Sequence, residues 1–94
     1  MRTKTQPFDP AEHLGTAVAQ AEYISTALET GDPAFIADSL GVVARARGMS
    51  QLARDTGLRR ESLYKALSAE GNPEFATIMK VVQALGVKLS AEAA

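Results

Sequence analysis

Apolar residues recur along this chain at helical spacing, in short bursts separated by glycine and by Asx-Pro pairs. Ala17, Ala21, Ile24 and Leu28 step by four, three and four, which predicts one amphipathic helix. Ile36, Leu40 and Val43, with Phe35 beside them, predict a second, and Phe75, Ile78, Val82 and Leu85 predict a last one between Pro73 and Gly86. Asp9-Pro10, Asp32-Pro33 and Asn72-Pro73 each set a side-chain acceptor before a proline, the signature of a helix start. The acceptor can take an orphan N–H, and proline at the first helical position lacks only an N–H that would have no partner. Glu12 adds capping-box spacing to Asp9. Gly31, Gly48, Gly57, Gly71 and Gly86 fall where the helices should stop and are expected to supply left-handed caps. One stretch departs from this pattern. Val87-Lys88-Leu89-Ser90 alternates with period two, as a short terminal strand would, with MRTKTQP at the amino end as its candidate partner.

The stretch GMSQLARDTGLRRESLYKALSA, residues 48–69, has a grammar of its own. Ser50 is placed to cap a short helix ending at Gly57, and a second helix is expected from about Arg59 to Ala69. Leu52, Leu58, Leu63, Ala66 and Leu67 would face inward, Ala53 must be small where the helices cross, and Gly57 takes the turn position that needs positive φ. These offsets predict a helix-turn-helix. An ordinary αα-hairpin would share the turn glycine, but the outward face here carries Arg60, Glu61, Tyr64, Lys65 and Ser68. Arg59 breaks a local rule, because it stands where a cap is wanted and cannot accept a hydrogen bond.

The chain has 94 residues and a net charge of −1, which at first argues against a nucleic-acid partner. The charge is not evenly spread. Residues 1–40 carry two cations against six carboxylates, a net of −4, and residues 41–94 carry eight against five, a net of +3. Arg45, Arg47, Arg54, Arg59, Arg60 and Lys65 face only Asp55 and Glu61 within their stretch, a local patch suited to phosphate. Hydrophobic residues are 46% of the chain and aromatic ones 5%, a balance that favours helices. The expected fold class is therefore all-α, one helix-turn-helix domain over 1–94. Within it, 1–31 would be an N-terminal helical extension, 32–86 the helical core and 87–94 a tail or short strand.

Recognition-helix geometry assigns the roles. Arg60 is the first choice for a bidentate contact to guanine in the major groove, with Lys65 a turn further on. Glu61 can accept from cytosine N4, and Tyr64 offers its ring to a thymine methyl. Ser50, Gln51, Arg59 and Ser62 are the expected phosphate contacts. Arg45 and Arg47, just before Gly48, read equally as phosphate contacts or as helix-end charges complementing the dipole. A single reading unit of this size buries little surface, so a homodimer on palindromic operator DNA is expected.

The whole chain also resembles a known family. TKTQPFDPAEHL, GDPAFIADSLGVVARARGMSQLARDTGL and LYKALSAEGNPEFATIMKVVQALGVKLS are similar to the addiction-module antidotes, HigA-like antitoxins with a lambda-repressor-like fold. The resemblance implies a protein that neutralises a RelE/HigB-like toxin and represses its own operon. Arg59 departs from the family pattern, where a capping residue is usual. The acidic amino-terminal half suits a basic partner of that kind, and Tyr23, Ile24 and Leu28 read as core or as an apolar toxin contact.

Other classes find little support. There is no cysteine, so thiolate chemistry and cysteine-ligated zinc are excluded. His13 is the lone histidine, and no nucleophile elbow, phosphate loop or H-E-x-x-H motif is present. No catalytic residue, metal or cofactor is expected. No apolar run approaches a membrane span and no secretory signal opens the chain, so a cytoplasmic protein is expected. A stand-alone repressor without a toxin is the main alternative, with a pure interaction bundle behind it.

Overall fold

In the computed structural model, which describes residues 14–94, five helices follow one another. They are α1 (Ala17–Glu29), α2 (Pro33–Arg47), α3 (Met49–Thr56), α4 (Arg60–Ala66) and α5 (Phe75–Ala84). The expected start at Asp9-Pro10, the Asp9–Glu12 capping box, His13 and the amino-terminal segment proposed to pair with the tail lie outside the described residues. Helix α1 packs on α2, and α3 touches α2, α4 and α5, so α3 sits at the centre of the arrangement. The core is built from Ile24, Leu40, Val43, Ala44, Leu52, Leu63, Leu67, Val81, Val82 and Leu85, each at most 2% exposed.

Where local chemistry sets a boundary, the structure follows the sequence. Asp32 Oδ1 accepts from the N–H groups of Ala34 (3.1 Å) and Phe35 (3.4 Å), and Pro33 opens α2. Gly31, Gly48, Gly57 and Gly86 all take positive φ. Gly48 serves two helices at once: its N–H closes α2 on the Ala44 carbonyl, and its carbonyl receives the Leu52 N–H of α3.

Where packing sets the boundary, the sequence expectations need correction. Ser50 is not the cap of α3. Burial of Met49 (6% exposed) brings the helix start forward by two residues, and Gly48 stands at the cap without a side-chain acceptor. Helix α4 stops at Ala66 instead of Ala69, because Leu67 leaves helical geometry (ψ 57°) as its side chain enters the core. Helix α5 starts at Phe75, two residues past Pro73, since Glu74 is still extended (ψ 153°) and Asn72 caps nothing. Gly71 is not a left-handed cap; a Cβ there would run into the carbonyls of Lys65 and Ala66, so glycine is required by close approach.

Two apolar patterns also resolve differently. The buried face of α1 is Gln20, Ile24 and Ala27, while Ala17 and Leu28 of the expected stripe are exposed. No strand occurs among the described residues. The alternation after Gly86 is real in burial, with Val87 inside, Lys88 outside and Leu89 half-buried. It arises because Val87 donates to the Val82 carbonyl at the end of α5 and the tail lies along the core.

Candidate nucleic-acid interface

Helices α3 and α4 are joined by Gly57, Leu58 and Arg59, and three features fix that corner. Gly57 is left-handed (φ 76°), and its N–H closes α3 on the Ala53 carbonyl. Thr56 Oγ1 donates to the Leu52 carbonyl (2.8 Å) and accepts from the Leu58 N–H (3.2 Å), tying the last turn of α3 to the first residue beyond it. Leu52 and Leu63 are buried and Ala53, Leu58 and Ala66 are half-buried, so the pair is anchored along one side. The Thr56 staple was not anticipated. Its signal was a threonine directly before a turn glycine, a position where hydroxyls commonly bond backbone.

Beyond those anchoring side chains, Arg59, Arg60, Glu61, Ser62, Tyr64 and Lys65 are all exposed. They do not form one cluster. Arg59, Arg60, Glu61 and Tyr64 line a shallow hollow with Ala53 and Leu58, against α3. Ser62 and Lys65 lie on the other flank of α4, in a hollow shared with Glu70, Gly71 and Asn72. The Arg60 guanidinium carbon sits 5.7 Å from the centroid of the Tyr64 ring, one turn along. This cation–π contact holds the long Arg60 side chain over α4 and lowers the entropy lost when it is used.

The amino ends of α3 and α4 both lack a side-chain cap, in contrast to α1, capped by Thr16, and α2, capped by Asp32. Helix α5 is uncapped as well. First-turn N–H groups with no intrahelical partner are ready donors for an anion. Gln51, expected to hold phosphate, spends its amide locally: it donates to Asp55 (2.8 Å) and accepts from Arg54 (2.8 Å). Ser50 is exposed in the first turn of α3. Arg45 and Arg47 are exposed in the last turn of α2, where their charge complements the helix dipole. Arg45 lies back over Gly41, toward the Leu67 end of α4.

Among the described residues there is no group of three histidine, cysteine or carboxylate side chains placed to hold a metal. No described helix is long and apolar enough to cross a membrane.

Comparison with known proteins bears on the whole chain. An uncharacterised protein of Haemophilus influenzae is 46% identical over 92 residues, which cover 98% of this chain and 95% of that protein. No solved structure gives a significant match. The family model described as "Probable addiction module antidote protein" matches residues 4–93. With that match running nearly end to end and so similar a relative beside it, the chain belongs to the addiction module antidote family.

Proposed function

We propose that this protein is the DNA-binding antitoxin of a type II toxin–antitoxin module, HigA-like, with a lambda-repressor-like helix-turn-helix formed by α3 and α4. It represses its own operon and neutralises a RelE/HigB-like toxin, and it acts by binding, without catalysis. The observation that carries the DNA-reading half is the corner at Gly57 and Thr56, which presents an uncapped α4 with Arg59, Arg60, Tyr64 and Lys65 exposed. Membership of an antidote family supports a toxin partner in general.

In this reading the amino-terminal half of α4 enters the major groove. Arg60 bridges guanine O6 and N7, Glu61 accepts from cytosine N4, and Tyr64 and Lys65 contact neighbouring bases. Arg59, Ser62, Ser50, Gln51, Arg45 and Arg47 hold the phosphates on either side, with Gln51 exchanging its bonds to Arg54 and Asp55 for a phosphate oxygen. Two copies bind a palindrome, one half-site each.

The test is fluorescence anisotropy with the DNA upstream of the protein's own gene, over a range of salt. Affinity should fall log-linearly with salt, by a slope of about −0.9 per phosphate neutralised. A flat salt response, or equal affinity for unrelated DNA, refutes the operator assignment. A gene for a small basic protein is expected beside this one, and co-expression of the two should yield a complex and relieve that protein's toxicity; with no such partner, the chain is a repressor standing alone.

A further inference from the structure

A hollow of about 270 Å³ opens between α1, α2 and α5, on residues that α3 does not supply. Ile24, Leu28, Ile36, Phe75, Ile78 and Leu89 give it an apolar lining. Its edges are open to solvent: Phe75 is 70% exposed and Leu28 42%. Phe75 opens α5 with its side chain in water, although the stripe it belongs to points inward further along. Large apolar side chains left exposed around a concave apolar lining mark a surface that takes a partner.

The charges next in sequence to the lining point to the partner's chemistry. Of the residues one step along the chain from a lining residue, Glu29, Asp32, Asp38, Glu70 and Glu74 are acidic and only Lys88 is basic. A second copy of this chain fits poorly, because a two-fold contact would lay one acidic rim against another. The basic stretch of a second copy is no better occupant, since Arg59, Arg60 and Lys65 would then be drawn away from phosphate.

We infer that the α1–α2–α5 hollow is the docking surface for the toxin, a basic protein that inserts an apolar side chain beside Phe75 and Leu28 and sets Lys or Arg residues against the acidic rim. This rests on the antitoxin reading above. A toxin that works on RNA needs a cationic surface, and covering that surface with carboxylates both attracts and blocks it. The hollow shares Gly71 and Asn72 with the one beside Lys65, so the toxin and DNA faces adjoin there while Arg60 stays on the far flank of α4.

The experiment takes the product of the gene adjoining this one, expected to be a small basic protein, and measures its binding to the wild type, to Leu28→Ala/Phe75→Ala and to Glu29→Lys/Glu74→Lys. Operator binding and thermal midpoint are recorded for each variant, and sedimentation for the free proteins. Loss of the apolar pair should weaken the complex by roughly 30-fold or more, mostly through faster dissociation. Charge reversal should slow association by about tenfold at low salt and by less at high salt. Both variants should keep operator binding. Unchanged toxin affinity in both variants overturns the surface while leaving the antitoxin reading intact. A wild type that does not bind the neighbouring protein overturns both. A change from dimer to monomer in Leu28→Ala/Phe75→Ala assigns the hollow to a second copy and overturns the proposal.

Discussion

The carbonyl oxygen of Leu67 stands where the side chain of Gly41 would begin. This contact seats the end of α4 on the middle of α2, and it is also where α4 stops. Glycine inside a helix ordinarily costs about 0.5–1 kcal/mol relative to alanine, so Gly→Ala there usually stabilises. Here the sign should reverse. A methyl at position 41 must push Leu67 backbone outward, and overpacking of this kind costs about 1–3 kcal/mol. Urea denaturation of Gly41→Ala should show a lower midpoint with an unchanged slope, and operator affinity should fall because α4 is displaced. A midpoint at or above that of the wild type would show that the helices do not meet this closely.

Thr56 makes a second backbone link, between Leu52 and Leu58 across the turn. Thr56→Val keeps the shape and removes both bonds, leaving the half-buried Leu58 N–H without its acceptor. The loss should be about 1–3 kcal/mol, the range for a buried donor deprived of its partner. The turn amides should exchange with deuterium faster than those of α2. If exchange rises equally everywhere, the hydroxyl contributes only to global stability and not to the corner.

How far the sequence could be read depended on whether a boundary is set by neighbours in the chain or by neighbours in space. Asp32, Gly57 and the missing cap at Arg59 were legible because each acts on backbone within a few residues. Helix ends at Met49 and Leu67 were not, because burial against other helices moved them. In α1 the buried face includes Gln20, whose Nε2 donates to the Leu14 carbonyl (2.9 Å), so an apolar-stripe reading found Ile24 but set the face off by part of a turn, toward Ala17 and Leu28. Exposure of the α4 side chains followed from spacing alone. Their division into two flanks did not, since it depends on where α3 and the 70–72 segment lie.

Arg60, held over Tyr64, is the side chain that the proposed DNA-binding reading sets first against a base. Arg60→Ala should cost about 1–3 kcal/mol of specific binding and relax preference at one base pair of each half-site. Tyr64→Leu should give a smaller loss, because it frees Arg60 to wander but leaves its hydrogen bonds available. Selection of operator variants against both mutants would separate the two effects. An Arg60→Ala protein that keeps full affinity and the same base preference would remove Arg60 from the groove.

Arg59 is where the proposed phosphate contact and the stability of α4 can be set against each other. It occupies the cap position of α4, extended at φ −75° and ψ 146°, and accepts nothing from the first turn. Serine in that place can accept an orphan N–H, and a good cap is worth about 0.5–2 kcal/mol over a residue that cannot. Arg59→Ser should therefore raise the urea midpoint. If Arg59 neutralises a phosphate, the same substitution should weaken binding to every DNA sequence about equally and reduce the salt slope by about 0.9. Stability up and affinity down, with base preference intact, is the combined outcome expected. A more stable protein with an unchanged salt slope would mean that the uncapped arginine serves no phosphate, and the local cost at the start of α4 would need another cause.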